Sequence, residues 1–442
     1  MSLDMCKEPL LPDDWQKVPL STLGEFFRGR GGTRADEVAS GLPCIRYGDL
    51  YTHHDCIVRS FCSFISPSSA QAYTPLQSGD VVFAASGETF EDIGKAAAYC
   101  DSSQAYAGAD TIIFRPIHSL NPAFAGYAFN GSEANQHKAR MGQGSSVIHI
   151  SAEHLSRFVV KIPSLPEQAR IAEILETIDE AIGQTEILIA KMKKIKTGLL
   201  HRLLTQGVTE DGLTRPPCGE APHLYKESPI GSIPREWQCA PCSALTEMIT
   251  VGIVVRPTQY YVEEGVPAFR SANIREDGID PSDLVFISPQ SNAQLAKSQV
   301  RPGDVLSVRT GYPGTSAVVP SEYTGANCID ILISRPSKQL RPDYLAAWIN
   351  SPFGKEQVLR KQGGLAQQHF NVAELRDLLV AVPGLQEQDE IVARILAINE
   401  KIAQERVQAR KYKCLRLGLM DDLLSGCVQI PIADSGEVMA NV

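Results

Sequence analysis

Two stretches of the chain place apolar residues at alternating steps of four and three. In the first, Ile171, Leu175, Ile178, Ile182, Thr185, Ile189, Met192, Lys196, Leu199 and Leu203 keep this rhythm. In the second, Ile391, Ile395, Ile398, Ile402, Glu405, Ala409, Tyr412, Arg416, Leu419 and Leu423 repeat it, with a cation at the same place. Such spacing marks a coiled-coil seam, and ~40 residues at 1.5 Å each make a rod of roughly 60 Å. With a domain between them, the two helices are expected to pack antiparallel within one molecule; the alternative is that each packs on its own domain. Ser164 with Glu167, and Gly384 with Glu387, put a cap and a carboxylate at N3 of both helix starts.

Upstream of each helix the pattern changes to short β-rich runs, "DVVFAAS" and "DTIIFRP" in the first half, "DVLSVRT" and "DILISRP" in the second, broken by Gly, Pro, Asn and Asp. These runs predict mixed α/β modules with many loops. The whole unit occurs twice. Residues 162–208 align with 382–428 without a gap and are identical at about a third of positions. Trp15 in "LPDDWQKVPLSTL" answers Trp237 in "IPREWQCAPCSAL", "GLPCIRYGDL" answers "GVPAFRSANI", and Gly79-Asp80-Val81 answers Gly303-Asp304-Val305. The expected organisation is an α+β pseudo-two-fold tandem repeat: a domain over 1–161, a helix over 162–206, a Gly- and Pro-rich linker over 207–232, a domain over 233–381, a helix over 382–427 and a tail over 428–442.

Composition narrows the function. The 442 residues, 43% hydrophobic and 21% charged, suit a folded globular protein. No apolar run approaches the ~20 residues that span a bilayer, and "MSLDMCKEPLLPDDW" has no signal-peptide pattern, so the expected location is cytoplasmic. Eleven scattered cysteines fit free thiols in a reducing compartment. A net charge of −9 speaks against nonspecific coating of nucleic acid, so any DNA binding must be local or shared with a partner.

At this point the residues resemble a known family, the specificity subunits of type I restriction-modification systems. The resemblance rests on "IPSLPEQARIAEILETIDEAI…KMKKIKTGLLHRLLTQG", on its second copy "VPGLQEQDEIVARILAINEKI…YKCLRLGLMDDLLSG", and on "SPIGSIPREWQ" leading into the second domain. It covers nearly the whole chain. Gln206 interrupts the Leu-Leu-Thr-Gly ending of the first copy, and Gln386 stands where the first copy has Pro166. The resemblance implies two target recognition domains, each reading one half of a bipartite, asymmetric DNA site, spaced by the antiparallel helices. The half-sites would lie about one helical turn, roughly 34 Å, apart. It further implies docking of two DNA adenine methyltransferase subunits that use S-adenosylmethionine and flip the target base, and of restriction subunits driven by ATP, with no cofactor in this chain.

Catalytic motifs are not apparent. "NPAF", Asn121 to Phe124, lacks the second proline of an adenine methyltransferase motif; its repeat equivalent is "RPDY", so Pro122 and Pro342 are read as first-turn helix residues. "FFRGRGGTR" lacks the end of a P-loop. Cys239 and Cys242 form a CxxC without two further ligands, so no metal site is expected. The rival readings are a diverged methyltransferase or nuclease, and a coiled-coil scaffold without a DNA role.

Base-edge readout needs Arg, Lys, Asn and Gln on loops. In the first domain the candidates are Arg28, Arg30, Arg34, Arg46, Tyr47, Lys138, Arg140, Gln143, Ser145 and Ser146. In the second they are Arg256, Tyr260, Tyr261, Arg270, Asn273, Arg309, Tyr312, Lys361, Gln362, Gln367, Gln368 and His369. The cation-rich second halves of the helices, such as Lys191, Lys193 and Lys194 or Arg410 and Lys411, read equally as solvated flanks, as a path along the DNA backbone, or as a face for an acidic partner.

Overall fold

The computed structural model describes residues 11–117, 119–360 and 369–431. They divide into two compact units, Met1–Glu186 with Gln408–Val442, and Ile187–Val407. Both unit boundaries fall within the long helices Leu165–Thr205 and Leu385–Ser425, so each unit contains part of both helices.

The first unit is built on a four-stranded antiparallel sheet ordered Gly24–Arg28, Thr111–Pro116, Val81–Ala84, Ala96–Ala98. Alternate side chains of Val81–Ala84 enter different cores, as the two-residue period of a strand requires. Val81 and Phe83 join Ile112, Phe114, Phe124 and Phe129, while Val82 and Ala84 join Ile45, Tyr99 and Ile113. Every residue of this strand is buried. A smaller sheet contains Glu37–Ile45, which runs parallel to Tyr106–Ala107. Gln16–Pro19 pairs with Val159–Ile162, which leads into the first long helix.

The second unit repeats this plan. Its main sheet is ordered Thr246–Val251, Ile331–Pro336, Val305–Val308, Ser316–Val318, Val266–Phe269 runs parallel to Asn327–Cys328, and Gln238–Pro241 pairs with Leu379–Val382. The repetition reaches individual hydrogen bonds. Arg115 holds Asp80 through two bonds of 2.7 and 2.8 Å, and Arg335 holds Asp304 through two of 2.7 Å. These bidentate, charge-assisted pairs close the same strand ends in both copies. Asn121 caps the helix Pro122–Ala128, and Pro342 opens Pro342–Asn350, so both prolines take the first-turn role read from the sequence.

The Glu-Gln pair at each long-helix start has a structural task. Gln168 accepts from the Asn121 amide at 2.7 Å and donates to the carbonyls of Pro163 and Ser119. Gln388 does the same with Arg341, Pro383 and Gln339. Both amides are buried, so the fixed partners offset their desolvation. The N3 carboxylates, by contrast, depart from the capping box expected of them: Glu167 accepts from Trp15 Nε1 and Glu387 from Trp237 Nε1. A left-handed glycine follows each helix, Gly207 (φ +67) and Gly426 (φ +81). Gln206 delays the first of them by one residue.

None of the seam positions is fully exposed. In the first unit Ile171 and Leu175 share a core with Met420 and Leu423, and Arg416 reaches Asp179 at 2.5 Å. In the second, Leu203 and Leu204 share one with Ile391 and Ile395. The start of one helix therefore meets the end of the other inside each unit.

Candidate nucleic-acid interface

In the first unit the sheet end formed by the C-termini of Gly24–Arg28 and Val81–Ala84 gathers most of the candidate readers. Arg28 ends the edge strand and Arg30 lies on the loop leaving it, which Gly31 (φ +80) and Gly32 (φ +110) bend through conformations that disfavour side chains. Asp36 pins this loop by accepting from the Thr33 amide at 3.0 Å and its hydroxyl at 2.8 Å, bonds that hold its carboxyl below the usual range. Arg46 joins from the parallel strand, its guanidinium donating to Glu37 at 2.9 Å and to the Thr33 carbonyl at 3.4 Å. Tyr47 opens the adjoining helix Tyr47–Thr52, which Tyr51 ties to the Ser86 carbonyl at 3.0 Å. Ser86 in turn meets His149, whose backbone pairs with Gln143, so Gln143, Ser145 and Ser146 arrive at the same rim.

The second unit gathers its set at the same sheet end. Ile253 bonds to Cys328 and Asp330, placing the loop with Arg256, Tyr260 and Tyr261 beside the start of Ile331–Pro336. Arg309 pairs with Asp330, the Phe370 amide donates to the Arg309 carbonyl, and Thr310 meets His369 Nδ1 at 3.0 Å. Arg270 follows Val266–Phe269 and grips Asp283 through bonds of 2.7 Å. Tyr260 and Tyr261 pack partly on the core of Ile253, Ala268, Ile287 and Ile329, whereas Tyr312 is 81% exposed.

Among the described residues Arg28, Arg30, Arg140 and Arg256 have no carboxylate partner. Arg46, Arg270 and Arg309 each have one, but partly exposed pairs are worth only ~0–1 kcal/mol and exchange readily for a phosphate or a guanine edge. The acidic turn Glu263-Glu264 precedes Val266–Phe269, at the opposite end of that strand from Arg270.

Two candidates are corrected. Lys138 is completely buried in the helix Ser132–Met141, where its ammonium donates to the carbonyls of Gly94 (2.8 Å) and Phe129 (2.7 Å); it has no route to DNA. Burial moves its pKa down to about 7. Asn273 is 1% exposed and spends its amide on the Arg270 amide and the carbonyls of Asp280 and Ser282, a turn-closing role. Lys361, Gln362, Gln367 and Gln368 lie outside the described residues, and for Arg34 only the backbone, which opens the turn Arg34–Asp36, is described. Sequence reasoning passed over Phe90, Val147, Val254 and Val255, exposed apolar residues on these same rims, and the carboxylates Glu88 and Glu91; for Glu88, Phe90 and Glu91 the signal was their position just after the predicted run "DVVFAAS".

Cys242 is packed into the apolar core, where burial pushes its thiol up to about 12, while Cys239 sits in the strand Gln238–Pro241. No helix among the described residues is long and apolar enough to cross a membrane.

Residues 12–194 match the type I restriction modification DNA specificity domain. The EcoBI specificity subunit of Escherichia coli is 25% identical over 270 residues, a stretch that is 57% of this chain and 53% of that subunit. The chain thus spans about half the length of that relative. The putative MjaX specificity subunit of Methanocaldococcus jannaschii is 23% identical over 95% of both chains. The crystal structure of a type I restriction-modification S subunit from M. genitalium superposes with a TM-score of 0.56 at 13% identity, covering 95% of this chain and 99% of that one. A chain from a structural study of complex assembly in a type I system gives 0.56 at 20% identity, covering 95% and 100%. At these identities the solved structures speak for the fold. Together with the tandem Glu-Gln helix starts and the matched sheets, these likenesses make the chain similar over nearly its whole length to the specificity subunits of type I restriction-modification systems, with the DNA specificity domain of that family matched over residues 12–194.

Proposed function

We propose that this chain is the recognition subunit of a type I complex, not an enzyme, and that it reads a bipartite, asymmetric DNA site with one unit per half-site. The observation that carries this reading is the contrast between scaffold and rim. The Trp–Glu, Gln–amide and Asp–Arg bonds recur in both copies, and Arg46 answers Arg270, while the rest of the rims differ: Arg28, Arg30 and Gln143 in one, Arg256, Arg309 and Tyr312 in the other. Equal scaffolds with unequal readers suit two different half-sites.

The two long helices act as the spacer, an antiparallel coiled coil that fixes the separation of the half-sites. They also dock two adenine methyltransferase subunits and, through these, the restriction subunits. Exposed apolar side chains off the seam support a docking role: Ile187 and Ile195 on the first helix, Leu415 and Leu417 on the second. S-adenosylmethionine and ATP belong to the partners, and the complex works in the cytoplasm.

The test is sequencing of methylated adenines in cells expressing this chain with its methyltransferase, against cells lacking only this chain. A new bipartite motif with a fixed spacer is expected. An unchanged methylome, with both proteins expressed and associated, would favour a scaffold role and overturn the reading.

A further inference from the structure

We infer that Tyr312, supported by Val254 and Val255 on the neighbouring loop, is a stacking wedge that enters an opened base step of the DNA half-site read by the second unit. The inference rests on the recognition role proposed above and adds a residue-level mechanism to it. Tyr312 is 81% exposed, Val255 69% and Val254 49%. Exposed apolar side chains on one rim need a partner surface, and the way these are held points to one.

The turn that carries Tyr312 is pinned, not loose. Gly311 (φ +89) and Gly314 (φ +82) supply its left-handed backbone, the Val308 amide donates to Thr315 at 2.8 Å, and the Gly314 amide to Val308 at 3.0 Å. A Cβ on Gly314 would press against Val358 at 3.2 Å, so the turn also sits on the core. The Tyr312 hydroxyl has no hydrogen-bond partner among the described residues. On the neighbouring loop Arg256 holds φ +42, a conformation costing a non-glycine residue ~1–3 kcal/mol that persists only where surrounding structure enforces it.

The loops leave Val305–Val308 and Thr246–Val251, which flank Ile331–Pro336, so they stand two strands or ~10 Å apart on one sheet end. The same two loops carry Arg256 and Arg309, the latter paired with Asp330. A partner that offers both anionic groups for guanidiniums and flat apolar faces for an aromatic ring is a nucleic acid whose base step is unstacked. The first unit presents Phe90 on the corresponding loop, ahead of Gly94 (φ +71), and an exposed Val147 just before Ile148–His149, the strand that pairs with Ser86–Gly87. Insertion also confers specificity without a hydrogen bond, because pyrimidine–purine steps open most cheaply.

The test uses the full chain in complex with its methyltransferase and a duplex carrying the methylated motif, with 2-aminopurine placed in turn along the second half-site. Wild type is expected to raise fluorescence at one step other than the adenine that the methyltransferase flips. Tyr312→Ala should abolish that signal and weaken binding by about 5- to 100-fold with an unchanged salt slope, while Tyr312→Phe retains both. Unchanged affinity and fluorescence in Tyr312→Ala would overturn the wedge. So would a Tyr312→Phe complex as weak as Tyr312→Ala, which would assign a hydroxyl contact instead. A wild-type complex that shows no sequence preference would overturn the recognition reading itself, a result separable from both.

Discussion

Trp237 donates its indole N–H to Glu387 at 3.0 Å, and the same carboxylate accepts from the Val208 amide at 2.8 Å and from Arg215 at 2.5 Å. One side chain at the start of the second long helix thus ties together the end of the first helix, the linker and the opening of the second domain. Arg215 is only 10% exposed at its side chain and Glu387 13%. Removing the acid leaves the nearly buried guanidinium with the Gln206 carbonyl at 3.1 Å and the more distant Glu236 at 3.7 Å, so Glu387→Ala should cost about 3 kcal/mol. Glu387→Gln, which keeps an acceptor for Trp237, should cost less. Denaturant melts of the two variants check this; an alanine variant as stable as wild type would refute it.

Within the first unit Arg416 replaces an apolar seam residue and bonds to Asp179 at 2.5 Å and Asp55 at 2.7 Å, while Tyr127 donates to the other oxygen of Asp179 at 2.7 Å. Asp179 and Arg416 are 11% and 13% exposed at their side chains. Truncating one partner leaves the other charged and poorly solvated, so Arg416→Ala should lose about 3 kcal/mol. Replacing both by leucine should restore part of that loss, giving a coupling of about 1–3 kcal/mol. Additive single and double variants in thermal melts would show that the pair is not coupled.

Periodicity made the long helices legible, because a four–three pattern is local and survives without knowledge of its partner. The repeat was legible for the same reason, and it held a signal that went unused: the alignment of "GLPCIRYGDL" with "GVPAFRSANI" sets Asn273 opposite Asp49, whose carboxylate accepts from the Arg46 amide at 2.9 Å. A residue that closes a turn in one copy is a poor candidate for base readout in the other. Lys138 offered no such warning. Its burial depends on the carbonyls of Gly94 and Phe129 and on the packing of a helix that the sequence presented as a polar loop. The rim itself was legible only as scattered loops, since the sheet order that brings Arg30, Arg46 and Gln143 together is a long-range property.

His54 is 3% exposed, and its Nε2 has no partner among the described residues. Burial, reinforced by the neighbouring His53 and Lys95 and opposed by Asp49, pushes its pKa down to about 4. The unfolded chain therefore binds a proton that the folded chain refuses between pH ~6.5 and 4. The contribution to stability is fully present above pH ~6.5 and is lost as pH falls through this window, by on the order of 2–3 kcal/mol. The difference in stability between wild type and His54→Gln should shrink accordingly from pH 7 to pH 4.5. A difference independent of pH would mean that His54 titrates normally in the fold.

Arg30 and Lys138 carry the same charge, and the structure gives them opposite prospects. Arg30 is exposed on a pinned loop without a carboxylate partner among the described residues, whereas the ammonium of Lys138 is enclosed by two carbonyls. If Arg30 meets a phosphate, Arg30→Ala should weaken DNA binding uniformly across sequences and lower the slope of log affinity against log salt by about 0.9. If it meets a guanine, the loss should be ~1–3 kcal/mol and confined to one base position. Lys138→Met should change neither slope nor preference, and should instead cost about 1–3 kcal/mol of stability through the two carbonyls it leaves unpaired. Titrations of the assembled complex at several salt concentrations separate these outcomes. A Lys138→Met complex that lost slope as Arg30→Ala does would require the helix Ser132–Met141 to open onto the DNA, and the packed arrangement described for the first unit would then not be the one that binds.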